Sequence, residues 1–121
     1  MSKRKALIVD DEEDICFLLS TILRQKDIQS EFAGSLAEAA KSLERDTDYS
    51  LIFLDNHLPD GFGIAYIDQI KKKFPSAHLI IITAHVTTAE RELAEMSGAE
   101  LFISKPFSKE TILKTIDNFF N

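Results

Sequence analysis

Three short apolar runs without polar alternation set the strongest limit on how this chain folds. They are Ala6-Leu7-Ile8-Val9, Leu51-Ile52-Phe53-Leu54 and Leu79-Ile80-Ile81-Ile82. A strand with one face in water alternates apolar and polar residues, so a continuous apolar strand indicates a parallel sheet that helices cover on both faces. Weaker strand patterns lie at Ile28 to Phe32 and at Leu101-Phe102-Ile103. The sequence therefore predicts five strands.

Helical periodicity fills the segments that follow each of these strand patterns. The apolar residues that recur at helical spacing are Ile15, Leu18, Leu19, Ile22 and Leu23; Leu36, Ala40 and Leu43; Ile67, Ile70 and Phe74; Leu93 and Met96; and Ile112, Ile116, Phe119 and Phe120. Capping-box patterns at Ser35 and Thr87 begin two of the segments, and Ser108 is placed to cap the last one. Five βα units joined by right-handed crossovers predict an α/β fold, a (βα)5 doubly wound, five-stranded parallel sheet.

The length and composition are those of one globular domain. The 121 residues are enough for one hydrophobic core and too few for two, so we expect residues 1–121 to form a single domain. A net charge of −6 argues against direct nucleic acid binding, which requires clustered Lys and Arg. No apolar run approaches the roughly 20 residues that cross a bilayer, and the basic start lacks a signal peptide's apolar segment, so we expect a cytoplasmic protein without membrane contact.

Reactive polar residues stand at the ends of four predicted strands. These residues are Asp10 with Asp11, then Asp55, Thr83 and Lys105. The carboxyl ends of parallel strands open onto one crevice, so we expect these side chains to meet there. Two adjacent carboxylates at about 4 Å repel by roughly 4 kcal/mol when the effective dielectric is near 20, and Asp55 adds a third negative charge. Hard oxygen ligands suit Mg²⁺, with Mn²⁺ as the alternative ion. A lysine and a hydroxyl beside them suit a phosphoryl group.

Each of these residues also has an ordinary structural interpretation. An acidic first helical turn, stabilised by the helix dipole, accounts for residues 10–14. A lone lysine is commonly a surface residue, and threonine is simply a good strand former. None of these interpretations explains why all four positions fall at matching strand ends, which favours the functional site.

Five short motifs occur in a definite order and spacing. They are Asp10-Asp11 after the first apolar run, the segment Asp55-Asn56-His57-Leu58-Pro59-Asp60-Gly61-Phe62-Gly63, Thr83-Ala84, Gly98-Ala99 and Lys105-Pro106-Phe107. With this combination the chain resembles, over essentially its whole length, the receiver domain of bacterial two-component response regulators, of the chemotaxis-regulator type. The resemblance implies a flavodoxin-like fold with strand order 2-1-3-4-5, a cis peptide bond before Pro106, and no output domain in this chain.

The resemblance also implies a role for each residue of the site. Asp55 is the expected phosphoacceptor, which takes a phosphoryl group from a phosphohistidine on a sensor histidine kinase or a histidine phosphotransfer protein. Asp11, Asp55 and the backbone carbonyl of His57 are expected to bind Mg²⁺ directly, and Asp10 largely through water. Lys105 is expected to hold a phosphoryl oxygen.

Thr83 and Phe102 resemble the switch pair of the family, in which the hydroxyl moves to the phosphoryl group and the aromatic ring fills the vacated space. Phe102 stands where family members often carry Tyr, and a plain core aromatic is the alternative. His57 and His85 lie where, in the family, residues flank the path of the water that hydrolyses the acyl phosphate. An imidazole there can orient, deprotonate or exclude that water, or be a solvated loop residue. Phe17 lies opposite the apolar stripe of the first helix, as a phosphodonor contact or an isolated surface aromatic.

The expected function is a phosphorylation-dependent switch that changes which downstream protein the domain binds. Such a phosphoacceptor assists its own phosphorylation and dephosphorylation and is not a turnover enzyme. We expect a monomer or a weak dimer, because Thr115 stands where dimeric DNA-binding regulators of the family typically carry arginine.

Two alternatives from other classes remain open at the level of sequence. A haloacid-dehalogenase-like phosphatase also uses a strand-end aspartate with Mg²⁺, but usually carries a second aspartate where this chain has His57. The second alternative is a phosphorylation-independent scaffold with the receiver fold. The presence of all the residues expected for phosphoryl transfer argues against it.

Overall fold

The computed structural model describes residues 4–45 and 47–120, so the part of the basic start before Arg4 lies outside the described residues. Within them the chain forms seven strands, five α-helices and one 3-10 helix, Gly63–Tyr66. The strands are β1 (Lys5–Val9), β2 (Gln29–Ala33), β3 (Leu51–Asp55), β4 (His57–Leu58), β5 (Gly61–Phe62), β6 (His78–Thr83) and β7 (Leu101–Ser104). The helices are α1 (Glu13–Arg24), α2 (Leu36–Glu44), α3 (Ile67–Lys73), α4 (Thr88–Ser97) and α5 (Lys109–Phe120).

Five of the strands form one parallel sheet in the order β2-β1-β3-β6-β7. Counted within this sheet alone, the order is 2-1-3-4-5, which confirms the predicted doubly wound, flavodoxin-like α/β fold. The two-residue strands β4 and β5 pair with each other as an antiparallel hairpin directly after β3. The register aligns Val9 with Leu54, and Asp55 with Ile82. The carboxyl ends of β1, β3 and β6 therefore lie side by side.

The three continuous apolar runs lie at the centre of the molecule, as predicted. Every residue of β3 is buried, and in β1 only Lys5 is not. Alternate residues of β1 enter separate core clusters, Leu7 and Val9 on one face of the sheet and Ala6 and Ile8 on the other. Burying a large apolar side chain contributes roughly 1.5–3 kcal/mol. Two such layers hold the site-bearing strands rigidly between helices.

The predicted helix caps are present at α4 and α5. The Thr87 hydroxyl accepts a hydrogen bond from the Glu90 backbone N–H (3.1 Å), and the Glu90 carboxylate accepts one from the Thr87 backbone N–H (2.9 Å), which completes a capping box. The Ser108 hydroxyl accepts from the backbone N–H of Thr111 at 3.1 Å. These contacts fix where both helices begin, next to the ends of β6 and β7.

Ser35 forms only half of the predicted capping box. Its hydroxyl accepts from the Glu38 backbone N–H at 3.1 Å, but the Glu38 carboxylate accepts from the N–H of Gly34 instead of Ser35. Asp60, from the loop after β4, supplies both carboxylate oxygens to the next two free N–H groups of α2, at 2.8 and 3.0 Å. A residue distant in sequence thus completes the cap, which a local pattern cannot reveal.

Two sequence-based details differ from the structure. The edge strand β2 runs one residue later than predicted, Gln29–Ala33, because Ile28 closes the turn after α1 through its N–H bond to Leu23. Leu93 and Met96 indicated α4 correctly, but they are 56% and 86% exposed, since the helix packs on the sheet through Ala94. Apolar spacing identified that helix without identifying its buried face.

No helix in the described ranges is both long enough and apolar enough to cross a membrane.

Candidate phosphoryl and metal site

The four predicted positions come together at the carboxyl edge of the sheet. Asp10 follows β1 directly, Asp55 is the last residue of β3, Thr83 is the last residue of β6, and Lys105 follows β7. Asp10 and Asp55 are each only 4% exposed, and Thr83 is buried beside them. Parallel strands with buried faces place their carboxyl ends in one crevice, which is why residues so far apart in sequence meet.

Three carboxylates form the acidic part of this site. Asp10, Asp11 and Asp55 each offer an oxygen, and these oxygens all lie within 4.8 Å of one another. Asp11 is exposed whereas the other two are buried, so the cluster is open to solvent on the Asp11 side. Burial raises the pKa of Asp10, and the Asp55 charge raises it further against the hydrogen bonds that lower it. The arrangement fits a hard divalent cation, whose charge would relieve this repulsion.

Lys105 neutralises part of that negative charge. Its Nζ lies 2.8 Å from Asp10 Oδ2, 3.3 Å from Asp55 Oδ2 and 2.6 Å from Glu12 Oε1. Burial by itself would lower the pKa of the Lys105 ammonium, but its hydrogen bonds to Asp10 and Glu12 raise that pKa above its ordinary value. Lys105 is therefore a permanently charged group that points at the candidate acceptor. The peptide bond between Lys105 and Pro106 is cis, as the resemblance implied.

Glu12 is a site residue that the sequence interpretation missed. It had been grouped with the acidic first turn of α1, yet its carboxylate makes the shortest of the three contacts to Lys105. Its backbone N–H also donates to Asp10 Oδ1 at 2.9 Å. The only sequence signal was its position directly after the acidic pair, which left several orientations open.

Cys16 is a small buried side chain next to the site. Its thiol donates to the backbone oxygen of Asp10 at 3.4 Å. Burial, followed by the nearby Asp10 charge, raises the pKa of the thiol to about 11. A thiol with a raised pKa is a poor nucleophile, which agrees with a structural role.

The Thr83 hydroxyl is engaged on two sides. It donates to the backbone oxygen of His85 at 3.2 Å, and it lies 3.3 Å from Nδ1 of His57. The His57 ring packs edge-on against Phe62, with centroids 5.7 Å apart. His85 contributes only its carbonyl to the hydrogen bonds of the described chain. The two histidines, which looked equivalent in sequence, thus occupy different environments.

Phe102 lies on the same face of the sheet as Thr83. The register pairs Phe102 with Ile81, and Ile81 and Thr83 are two residues apart on one strand, so all three side chains share a face. The ring is half-buried against the core, and the guanidinium carbon of Arg91 in α4 lies 4.5 Å above its centroid. A cation over the face of an aromatic ring is favourable, so the Arg91 guanidinium stabilises the half-buried Phe102 ring and covers one of its faces.

Asn56 is a second residue that sequence reasoning overlooked. Its fully buried side chain donates to Glu90 Oε2 at 3.2 Å and accepts from the Ile64 backbone N–H at 3.1 Å. Glu90 is the carboxylate of the α4 capping box. The residue after Asp55 is therefore hydrogen-bonded to the start of α4, a contact for which the chain carries no recognisable local pattern.

Comparison with known proteins identifies the class of this domain. A family model described as the response regulator receiver domain matches residues 6–117. The response regulator protein PilR of Pseudomonas aeruginosa is 36% identical over 106 residues, which cover 88% of this chain and 24% of PilR. The chain belongs to the receiver domain family of two-component response regulators.

Solved structures of similar domains include activated and phosphorylated forms. The beryllofluoride-activated NtrC4 receiver domain dimer is 39% identical, with a TM-score of 0.84, and the match covers 96% of this chain and 95% of that one. A response regulator from Burkholderia pseudomallei with a phosphorylated aspartic acid, calcium ion and citrate is 25% identical, with a TM-score of 0.84, over 91% of this chain and 64% of that one. This chain spans 24% of the length of PilR and of an NtrX-like regulator of Rickettsia bellii.

Proposed function

We propose that Asp55 is the phosphoacceptor of this receiver domain. The observation that carries the proposal is the buried Asp55 carboxylate, 3.3 Å from the Lys105 ammonium and within the three-carboxylate cluster. A carboxylate that attacks phosphorus approaches a group that is already negative, so charge neutralisation and positioning provide most of the catalysis. The phosphorylated aspartic acid in the Burkholderia pseudomallei relative supports the same chemistry.

The cation that completes this site is, in our proposal, Mg²⁺, with Mn²⁺ as an alternative. Asp11, Asp55 and the His57 carbonyl would hold it, with Asp10 acting largely through water; the calcium ion of the relative supports a divalent cation. The ion would supply positive charge at the phosphoryl oxygens. The Asp10 and Asp11 carboxylates would keep that ion next to the Asp55 carboxylate, and Lys105 would hold a phosphoryl oxygen.

Phosphorylation would be read out through Thr83 and Phe102. The Thr83 hydroxyl leaves the His85 carbonyl and the His57 ring to donate to the phosphoryl group, and the Phe102 ring shifts toward the vacated space. Arg91 and the hydrogen bond between Asn56 and Glu90 connect these changes to α4. The exposed Leu93 and Met96 would make α4 part of the surface that a downstream protein recognises.

The remaining features of the proposed function concern partners and context. A sensor histidine kinase or a phosphotransfer protein would donate the phosphoryl group, with Phe17, exposed on α1, as a contact. We propose that residues 1–121 form one receiver domain that acts in the cytoplasm as a switch, not as a turnover enzyme. A monomer or weak dimer fits this proposal, and the activated NtrC4 receiver is a dimer. Thr115 has no charge to form the ion pair that an arginine could make there, and its buried hydroxyl donates to the Thr111 carbonyl.

Phosphoryl uptake from a small-molecule donor tests the proposal. With Mg²⁺ present, intact mass should show a single base-labile phosphoryl group, bound in stoichiometric amount, and no sustained release of inorganic phosphate beyond slow self-hydrolysis. Continuous turnover of the donor at enzymatic rates would favour the haloacid-dehalogenase-like phosphatase. Complete absence of labelling would favour the phosphorylation-independent scaffold.

His57 and His85 should differ in their effect on the lifetime of the acyl phosphate. Because the His57 ring contacts Thr83 and Phe62, we expect it to exclude water, so His57→Ala should shorten the lifetime. His85→Ala should change the lifetime less, since only its backbone contacts Thr83. Decay of the phosphorylated mass at constant pH measures both. If His57 instead acted as a general base, its removal would lengthen the lifetime, by about 10²-fold or more.

A further inference from the structure

Glu12 holds the Lys105 ammonium more closely than either buried carboxylate does. The Nζ atom lies 2.6 Å from Glu12 Oε1, against 2.8 Å for Asp10 and 3.3 Å for Asp55. The contact to the candidate phosphoacceptor is thus the longest of the three. Glu12 is also the most exposed of the three partners.

The donor count of lysine makes this contact a competitive one. An ammonium group carries three N–H donors. One carboxylate oxygen from each of Asp10, Glu12 and Asp55 already lies within 3.3 Å of Nζ. Lys105 donates hydrogen bonds to Glu12 and Asp55 and forms an ion pair with Asp10. A phosphoryl oxygen on Asp55 therefore competes with these carboxylates for the same ammonium group.

The burial of the partners determines which contact yields most easily. The Asp10 side chain is 3% exposed, and leaving it without Lys105 would strand a buried charge. The Glu12 side chain is 58% exposed, so water can replace the ammonium at its carboxylate at little cost. Asp55 itself would carry the phosphoryl group, so of the two other contacts the one to Glu12 is the one that a phosphoryl group displaces more easily.

We propose that Glu12 is a positioning residue that competes with the phosphoryl group for Lys105 and so weakens the affinity of the site for it. This inference rests on the proposed function, in which Lys105 holds a phosphoryl oxygen. Glu12 acts only through the lysine and does not contact the reacting atoms. Its effect is to favour the unphosphorylated state and to reduce occupancy at low levels of phosphodonor.

The affinity for beryllofluoride, a phosphoryl analogue, tests the inference. With saturating Mg²⁺ and about 0.15 M salt, Glu12→Gln should bind beryllofluoride about two- to fivefold more tightly than the wild type, the range expected for loss of an exposed ion pair. Glu13→Gln removes the same charge one residue away, and Glu13 forms no ion pair in the described part of the chain. Screening at this salt concentration should limit its effect to about 1.5-fold.

The possible outcomes separate this inference from the function on which it rests. A gain in affinity for Glu12→Gln that clearly exceeds the gain for Glu13→Gln supports competition for Lys105, since a purely structural role would give a loss. Equal gains in both variants would mean that Glu12 acts only through its negative charge and not through its contact to Lys105, which would overturn the inference. An unchanged or weaker affinity for Glu12→Gln would overturn it as well. Failure of the wild type itself to bind beryllofluoride would instead overturn the proposed function. Melting temperatures without ligand confirm that each variant is folded.

Discussion

Asp55→Asn is expected to abolish phosphoryl uptake while the protein stays folded. The amide is a far weaker nucleophile than the carboxylate and cannot form the acyl phosphate. Lys105 keeps its contacts to Asp10 and Glu12, so the ammonium does not become an unpaired buried charge. Intact mass after incubation with a small phosphodonor and Mg²⁺ measures the loss.

Asp68→Asn is the matched control for this experiment. Asp68 is an exposed carboxylate in the first turn of α3, outside the acidic cluster, and its variant should label like the wild type. Without Mg²⁺, the free energy of unfolding of Asp55→Asn should equal or exceed that of the wild type, because one of three mutually repelling carboxylates is gone. Labelling of Asp55→Asn at the wild-type rate would show that another residue accepts the phosphoryl group.

Asp11→Ala is expected to remove most of the dependence on Mg²⁺ and to slow phosphoryl uptake at limiting Mg²⁺. Asp11 is the exposed member of the three-carboxylate cluster, so its loss would remove a proposed ligand without opening a cavity in the core. For the wild type, a free Mg²⁺ concentration ten times its Kd should stabilise the native state by about 1.4 kcal/mol. That corresponds to a rise in Tm of roughly 5 °C for a domain of this size.

Thermal melts across a Mg²⁺ titration measure this effect, with Asp14→Ala as the control. Asp14 lies in the first turn of α1 but outside the carboxylate cluster, so its variant should keep the wild-type response to Mg²⁺. A Tm of the wild type that does not change up to millimolar Mg²⁺ would contradict a metal site at these residues. Equal loss of the response in both variants would point to general charge instead of ligation by Asp11.

The core strands and the main site residues could be predicted from the sequence because both follow from the order and spacing of short segments along the chain. Three apolar runs fixed the central strands, and a helix-sized spacing between them allowed only parallel pairing with crossovers. Parallel pairing then places every strand end at the same edge. That is why Asp10, Asp55, Thr83 and Lys105 could be grouped before any distance between them was known.

The exposed face of α4 could not be inferred in this way. Leu93 and Met96 mark a helical repeat, but a repeat of two positions does not say which side of the helix meets the sheet. The structure buries Ala94 and leaves the two larger residues in solvent. Which face of α4 is buried depends on how the helix packs on the rest of the fold, and the spacing of two apolar residues does not specify this.

The sequence by itself determined the fold, the strand order through its family resemblance, and the residues that line the crevice. Only the tertiary structure showed that Glu12 reaches Lys105, that Asn56 bonds to Glu90, and that His57 contacts Thr83 while the His85 side chain does not. These pairs join residues 26 to 93 positions apart through side chains on separate strands, helices and loops. Backbone periodicity fixes where such loops begin, but the direction of each side chain depends on packing around all the others.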